Sequence, residues 1–475
     1  MNTIDTDSSL LARSALRLSD WAERWFPDAY IFAALGVIIV AVAAMAFGAG
    51  PQATAIAFGD GFWTLIPFTM QMTFVVIGGY VVATSPPVAR LIDILANVPK
   101  SGRGAVAYIA VLSMLASLLN WGFSLVFGGL IVRALARRTN LNMDYRAAGA
   151  AAYLGLGASW AMGLSSSAAQ LQANPASIPK TLLPITGVIP FTETIFLWQS
   201  VALTAILIVV SALVAWWSAP GASQAQTIAQ FAEVKDDVDE GALEARTGRP
   251  SEWIERSPVL TILIGLLALG WVIHEFRSKV WYFAISNLNT YNFLFIMAGL
   301  VLYWRPRNFL EAVKRAVPST TGVLIQFPLY GGIATMLTAV KGSDGHTLAE
   351  KLSGLFVHLA SSQTYAFVIG AYSAVLGFFV PSGGGKWVIE APYVMQAANN
   401  LHFPLGWAVQ IYNAAEALPN LINPFWMLPL LGVLGLKARD IVGFTFLQLV
   451  VHIPLVLIML WAFGLTLAYH PPVLP

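Results

Sequence analysis

The sequence predicts an all-α polytopic membrane protein made of two inverted-topology repeats, each with a re-entrant hairpin and a broken transmembrane helix. Three observations carry that expectation. The chain has 475 residues, 57% of them hydrophobic and only 11% charged, where a soluble domain carries about 25%. Apolar runs of bilayer length, about 20 residues each, recur along it. The apolar regions too long for one span are interrupted by glycine, proline and asparagine at matching places in the two halves.

The charges are unevenly spread. Residues 218–257 hold 12 of the 50 charged side chains, eight acids (Glu233, Asp236, Asp237, Asp239, Glu240, Glu244, Glu252, Glu255) against Lys235, Arg246, Arg249 and Arg256. What remains cannot cover a soluble surface, which excludes a globular cytosolic enzyme. A net charge of +2 without a basic, aromatic-interleaved cluster argues against a nucleic-acid partner. The chain has no cysteine, so thiol chemistry and Cys-ligated metals are excluded, and its six histidines are scattered without ligand spacing. No cofactor and no metal are expected.

In chain order, residues 1–27 place Leu10, Leu11, Ala15, Leu18, Trp21, Ala22 and Trp25 at helical spacing, with Arg13, Arg17 and Arg24 on the other side. That pattern predicts an amphipathic helix on the membrane surface. Single spans are expected near 28–48, 60–84, 193–217, 258–275, 290–304, 318–340 and 440–466. The 49–58 stretch reads as a loop without Lys or Arg. Longer, interrupted regions occupy 105–138, 147–180 and 362–436. Arg13, Arg17 and Arg24 put the N-terminus in the cytoplasm, and the basic loops (Arg90, Lys100, Arg103; Arg133, Arg137, Arg138, Arg146; and, if 362–400 enters and leaves from the outside, Arg305, Arg307, Lys314, Arg315; Lys437, Arg439) fall on the same side, with Arg277 and Lys279 as exceptions. The halves then run in parallel: 60–84, a hairpin at about 105–138, a broken segment at 147–180 and a closing span at 193–217, against 318–340, a hairpin at about 362–400, 404–436 and 440–466. The first half is expected over 28–217 and the second over 258–475, joined by an acidic cytoplasmic linker, 218–257.

Paired, interrupted segments of this kind point to the binding site of a secondary transporter. The breaks are Asn120-Trp121-Gly122-Phe123-Ser124, Gly163-Leu164-Ser165-Ser166-Ser167, Pro381-Ser382-Gly383-Gly384-Gly385 and Asn420-Leu421-Ile422-Asn423-Pro424. Unwound backbone at membrane depth survives only where protein or a watery cavity satisfies it. Glycine lets the chain turn and a ligand approach, and half-helix N-termini suit a carboxylate. The plainer alternative is that Gly and Ser let transmembrane helices pack closely. Asn120, Trp121, Gly122, Ser124, Ser165, Ser166, Ser167, Ser382, Gly383, Gly384, Gly385, Asn420 and Asn423 are the candidate substrate-binding residues.

Ionisable groups in apolar segments are functional candidates. Glu416, the only acid within 404–436, lies four residues before the Asn420 break and is the candidate coupling group. Lys386 and Glu390 stand i, i+4 beyond the glycine run, a spacing that pairs charges. Gln71 and Gln326, in the opening spans of the two halves, read as interhelical hydrogen bonders. His452 reads as a packing or interface residue.

The motifs together resemble the short-chain fatty acid transporter family, a branch of the ion transporter superfamily. The similar stretches are Trp25-Phe26-Pro27-Asp28, Gly59-Asp60-Gly61-Phe62-Trp63, Asn120-Trp121-Gly122-Phe123, Pro381-Ser382-Gly383-Gly384-Gly385 with Trp387-Val388-Ile389, and Pro424-Phe425-Trp426, so the likeness runs from about 20 to 465. It implies passage of acetate-, butyrate- or acetoacetate-like monocarboxylates across a bacterial cytoplasmic membrane. It also implies a homodimer embedded in lipid and an elevator motion of a transport domain. The family pattern places an acid where Glu416 stands and an Asn at Asn120. It leads one to expect His and Gln where this chain has Lys386 and Glu390. Proton coupling through Glu416 is the expected mechanism. The alternatives are a sodium-coupled transporter of another organic anion such as a dicarboxylate, and a membrane-embedded serine hydrolase using the triple-serine run. A channel would fit two inverted broken bundles poorly.

Overall fold

The computed structural model describes residues 29–231, 249–279, 281–380 and 382–474. The expected N-terminal amphipathic helix, the middle of the linker and Pro381 lie outside them. The described chain is helical, with a single isolated β-bridge between Lys341 and Thr347. Six of its helices are long and apolar enough to cross a membrane.

The first half opens with α1 (Ala29–Ala46), α2 (Pro51–Phe62), α3 (Ile66–Ala83) and α4 (Pro86–Leu95). A hairpin follows, α5 (Gly102–Leu119) and α6 (Trp121–Ala136), then the broken pair α7 (Tyr145–Leu154) and α8 (Ser167–Ala173), and the closing helix α9 (Trp198–Ser218). The second half brings α10 (Val259–Ser278), α11 (Leu288–Tyr303), α12 (Pro306–Ala316), α13 (Thr321–Ala339) and α14 (Leu348–Leu359). Its hairpin is α15 (Tyr365–Phe379) and α16 (Gly383–Asn400), its broken pair α17 (Leu405–Asn420) and α18 (Pro424–Leu434), and its closing helix α19 (Ala438–Gly464).

From α3 and from α13 onward the two halves repeat one another in the order of their elements and in their main packing contacts. The second arm of each hairpin packs on the opening helix of its own half, α6 on α3 and α16 on α13. The first arm packs on the broken and closing helices, α5 on α7 and α9, α15 on α17 and α19. Across the halves, α6 meets α18 and α16 meets α8, so each hairpin reaches the far piece of the other half's broken helix. These are the two repeats with hairpins and broken helices that the sequence predicts.

Two features differ from the sequence expectation. Residues 51–62 form a helix rather than a loop, because Pro51 sits in its first turn, where a missing N–H costs nothing. That helix packs on α13 at a contact where Gly61 and Gly331 allow no Cβ on either side, and the run expected as one span from 60 is two helices parted at 63–65. The short helices α4 and α14, one before each hairpin, are also additional to that expectation. Their polar residues resemble those of connections, yet α14 is started by a reciprocal cap between Thr347 and Glu350.

Polar pairs fix the bundle at intervals. Gln71 donates to Asn289 Oδ1 at 2.8 Å and accepts from Ser177 Oγ at 2.7 Å, tying α3 to α11 and to the segment after α8. Gln326 instead accepts from Tyr330 within its own helix. His452 is buried between α19 and α9, 3.0 Å from Ser211 Oγ, a packing position. Lys279, an exception to the charge rule, pairs with Glu275. The first described stretch of the linker lies at the base of the first hairpin, where Gln226 N–H donates to Asp144 and Arg103 to the Ala219 carbonyl, and the second pairs Glu252 and Glu255 with Arg307 of α12.

The break between α7 and α8 begins earlier than its glycine-serine motif. A π-turn over Gly155–Ser159 and a 3-10 turn over Trp160–Met162 precede the extended Gly163. A Cβ on Gly163 would stand 2.3 to 2.7 Å from the Leu118 backbone, which cannot yield as a side chain tip can. Gly163→Ala is therefore expected to destabilise by about 1–3 kcal/mol, read as a lower melting temperature of the detergent-solubilised protein. Gly432→Ala, where a Cβ meets nothing within 4 Å, should leave it unchanged. Equal melting of the two variants would show that this close approach does not hold the break.

Candidate functional site

In each hairpin an extended residue caps the second arm. Asn120 (φ −159°, ψ 124°) accepts the Phe123 N–H on Oδ1 at 2.9 Å. Ser382 (φ −153°, ψ 100°) accepts the Gly385 N–H on Oγ at 3.3 Å. Asn and Ser are strong N-capping residues because a short side-chain oxygen reaches the N3 amide. Asn120 also donates to the Val75 carbonyl at 3.0 Å, locking the first tip to α3 beside Gly79, where a Cβ would collide with the Asn120 amide.

The two tips meet the same short segment. Ser165 Oγ accepts from the Trp121 N–H at 3.0 Å, and Leu164 N–H donates to the Leu118 carbonyl at 2.7 Å, so the first tip lies along 164–165. Ser166 caps α8 and donates to Asn413 Oδ1 of α17 at 3.0 Å. Ser167 lies beside Met72 Sδ and faces Gly384 of the second tip, where an added Cβ would stand 3.2 Å from the Ser167 Cβ. Three successive serines thus serve the first tip, the partner half's broken helix and the second tip.

The glycine run is helical, not a turn, and none of its members has positive φ. It is glycine because rings press on it. A Cβ would meet the Trp160 ring at Gly383, Phe68 at Gly384 and Tyr330 at Gly385. Tyr412 OH donates to the Gly383 carbonyl, and Phe68 stacks on Phe327. The Trp160 indole N–H is buried without an acceptor, and Gly383 and Gly384 supply first-turn N–H groups that have no intrahelical partner. Aromatic rings and N–H donors thus crowd together at the second tip.

Other expected site residues do different work. Ser124 turns away from the tips and donates to the Ser113 carbonyl at 2.8 Å, between α5 and α6. Gly122 lies against the Val76 backbone. Trp121 meets Trp426 edge to face. Asn420 accepts from Tyr153 OH through its carbonyl, while its buried Oδ1 has no donor. Asn423 follows in the turn, its N–H on the Asn420 carbonyl.

Behind the second tip the structure gathers three charges. Lys386, Glu390 and Glu416 all have side chains with 0% exposure. Lys386 Nζ lies 2.8 Å from Glu390 Oε1 and 2.9 Å from Glu416 Oε2. It also donates to Ser373 O at 2.9 Å and Ser373 Oγ at 2.7 Å, and it stands 4.3 Å over the Tyr412 ring. Gly377 of α15 makes the room, since a Cβ there would be 2.8 Å from Glu416 Oε2. The i, i+4 pair was legible in the sequence. Glu416 joining it was not, nor were Trp160, Phe68 and Tyr330, which converge only through tertiary packing; Tyr412 carried a signal in its i, i+4 spacing to Glu416.

The repeats sharpen the meaning of this cluster. Counting from each cap, Lys386 and Glu390 correspond to Ser124 and Gly128. Where Lys386 reaches the Ser373 carbonyl of its hairpin's first arm, Ser124 reaches the Ser113 carbonyl of its own. One hairpin closes with a neutral hydrogen bond and the other with an ion cluster.

Comparison with known proteins agrees with the architecture. A solved structure of the YdaH transporter of Alcanivorax borkumensis superposes with a TM-score of 0.58 at 14% identity, covering 92% of this chain and 98% of that one. MtrF of Neisseria gonorrhoeae, described among antimetabolite efflux pumps, gives 0.52 at 13% identity, covering 95% and 97%. Those likenesses speak for the fold. In sequence, a protein of Escherichia coli (strain K12) is 33% identical over 436 residues, 92% of this chain and 96% of its own length. One of Haemophilus influenzae is 29% identical over 457 residues, 95% of this chain and 100% of its own. Both carry the name "Putative short-chain fatty acid transporter". The family model for the short chain fatty acid transporter matches residues 10–463, and the chain belongs to that family.

Proposed function

We propose that the protein is a secondary active transporter moving short-chain fatty acids, acetate- to butyrate-sized monocarboxylates, across a bacterial cytoplasmic membrane, with its N-terminus in the cytoplasm. The observation that carries this reading is the meeting of two N-capped hairpin ends on Ser165, Ser166 and Ser167. A carboxylate placed there would face the N–H groups of Gly383 and Gly384 and the Trp160 indole. Its acyl tail would lie on Phe68, Tyr330 and Met72. A transport domain would move against a scaffold domain by an elevator motion within a homodimer, the halves 28–217 and 258–475 being joined by 218–257 as a surface connector.

Substrate charge follows from Lys386. This cation is already held by two carboxylates and a carbonyl, so a second substrate carboxylate would find no counter-charge beside the second tip. That favours a monocarboxylate over a dicarboxylate. A hydrolase reading needs a base beside a serine, and Ser166 instead donates to an amide oxygen, which cannot accept a proton at neutral pH.

Proton coupling has a physical route. With Lys386, Glu390 and Glu416 all ionised the buried cluster carries a charge of −1, and one proton on Glu416 brings it to zero. A loaded domain would then cross with less charge to desolvate. The groups facing Glu416 are Lys386 and Glu390 of α16, Tyr330 of α13 and Tyr412 of its own helix. Glu416→Gln keeps the shape and removes the titration. In proteoliposomes it should abolish accumulation of labelled butyrate driven by a pH gradient while sparing butyrate exchange. Accumulation that survives in this variant would remove Glu416 from coupling.

Gly384→Val tests the tip. Its side chain would press on Phe68 and Ser167, so overpacking of about 1–3 kcal/mol, or roughly 10- to 100-fold in uptake, is expected. The protein should still elute as a single folded species in detergent. Unchanged uptake would place the substrate elsewhere.

A further inference from the structure

We propose that Lys386 is a resident counter-ion occupying a monovalent-cation site formed by Glu390, Glu416 and Ser373, so that this chain works without a coupling alkali cation. The inference rests on the transport reading above and concerns which ion that transport needs.

The geometry is that of an oxygen-ligated cation. Four oxygens surround the Lys386 ammonium at 2.7 to 2.9 Å: Ser373 O, Ser373 Oγ, Glu390 Oε1 and Glu416 Oε2. A main-chain carbonyl, a hydroxyl and two carboxylates are the hard oxygen donors that alkali ions also accept. Lysine places the charge from within the protein instead of from solution. The ligands come from three helices, α15, α16 and α17, so the ammonium holds the hairpin to the broken helix as a bound ion would.

Two further observations set this apart from an ordinary structural ion pair. Glu390 Oε2 and both carboxylate oxygens of Glu416 are buried with no hydrogen-bond donor, the 2.9 Å approach of Lys386 Nζ to Glu416 Oε2 being an ion-pair contact. A purely structural pair would be expected to satisfy those oxygens, because unpaired buried carboxylate oxygens are costly. The inverted repeat also closes the same hairpin position with Ser124 and Gly128 and no charge at all. Packing of this hairpin type therefore does not require the lysine or the acid.

The decisive variant is Lys386→Ser, which gives this hairpin the residue found at the matching place in the other half. It leaves two carboxylates, the Ser373 oxygens and space for an ion. Wild-type protein should take up labelled butyrate equally in sodium, potassium and choline chloride, and its melting temperature in detergent should be the same in all three. Lys386→Ser should lose uptake in choline and regain it in sodium or potassium, with a melting temperature raised by the alkali ion and not by choline. Should that variant fail to fold, Lys386→Ser with Glu390→Gln removes one negative charge along with the positive one and keeps Glu416 and Ser373 as ligands. The same alkali-specific rise in melting temperature is expected of it. A wild type that requires sodium or potassium overturns the proposal, as does a folded variant that melts identically in all three salts. The melting arm contains no fatty acid, so a mistaken substrate would silence butyrate uptake in every protein while leaving the cation response intact.

Discussion

An interrupted helix inside an apolar bundle must find hydrogen-bond partners within the protein, and this molecule arranges its interior around that demand. At the first hairpin tip the residue that breaks the helix is the one that repairs it, and at the second a cap follows the break. Asn120 and Ser382 leave the helical conformation, and their side chains turn back to take an amide of the arm they start. Ser166 does the same for α8. Because the caps are short, the tips stay narrow enough for both to reach one serine run. The site is thus a consequence of how broken backbone is made tolerable in lipid.

The glycines follow from the same closeness. Gly383, Gly384 and Gly385 have ordinary helical geometry, and what they permit is contact with Trp160, Phe68 and Tyr330. Gly377 and Gly163 act likewise, one admitting the Glu416 carboxylate and the other the Leu118 backbone. In a membrane, where lipid is as apolar as the helix surfaces, such close van der Waals contact supplies much of the association.

Much of this was legible in the sequence because interruptions in apolar runs are conspicuous. Asn120, the triple serine, the glycine run and Asn420 each stop a stretch that length and composition say should continue. What was not legible has a common cause. The helices α2, α4 and α14 carry enough polar or small residues to read as loops, and the ring wall is set by tertiary contacts between α3, α13 and the broken segment. Lys386 and Glu390 announced each other by spacing, while Glu416 joins them only because α17 packs against α15 at Gly377. The glycine run suggested a turn where the chain needed a smooth surface.

The two halves are alike in build and unlike in charge, and that difference bears on mechanism. If both hairpins carried a Lys–Glu pair, the interior would hold two ion clusters, each with its own desolvation cost. Instead the first hairpin is sealed by Ser124 and Ser113, both neutral, and the buried Lys–Glu cluster lies behind the second tip. A binding site shared by two tips, as proposed, would then be asymmetric: one side would offer fixed dipoles, and the other would back its dipoles with a cluster whose net charge changes by one with a proton. Tyr412 joins the two functions, since its hydroxyl holds the Gly383 carbonyl and its ring lies under the Lys386 ammonium. A change of charge at Glu416 alters the field at Tyr412 and Lys386 directly, and through Tyr412 it reaches the backbone that would meet the substrate. The proposed coupling between proton and carboxylate would then need no long pathway, only the helical turn that separates Ser382 from Lys386.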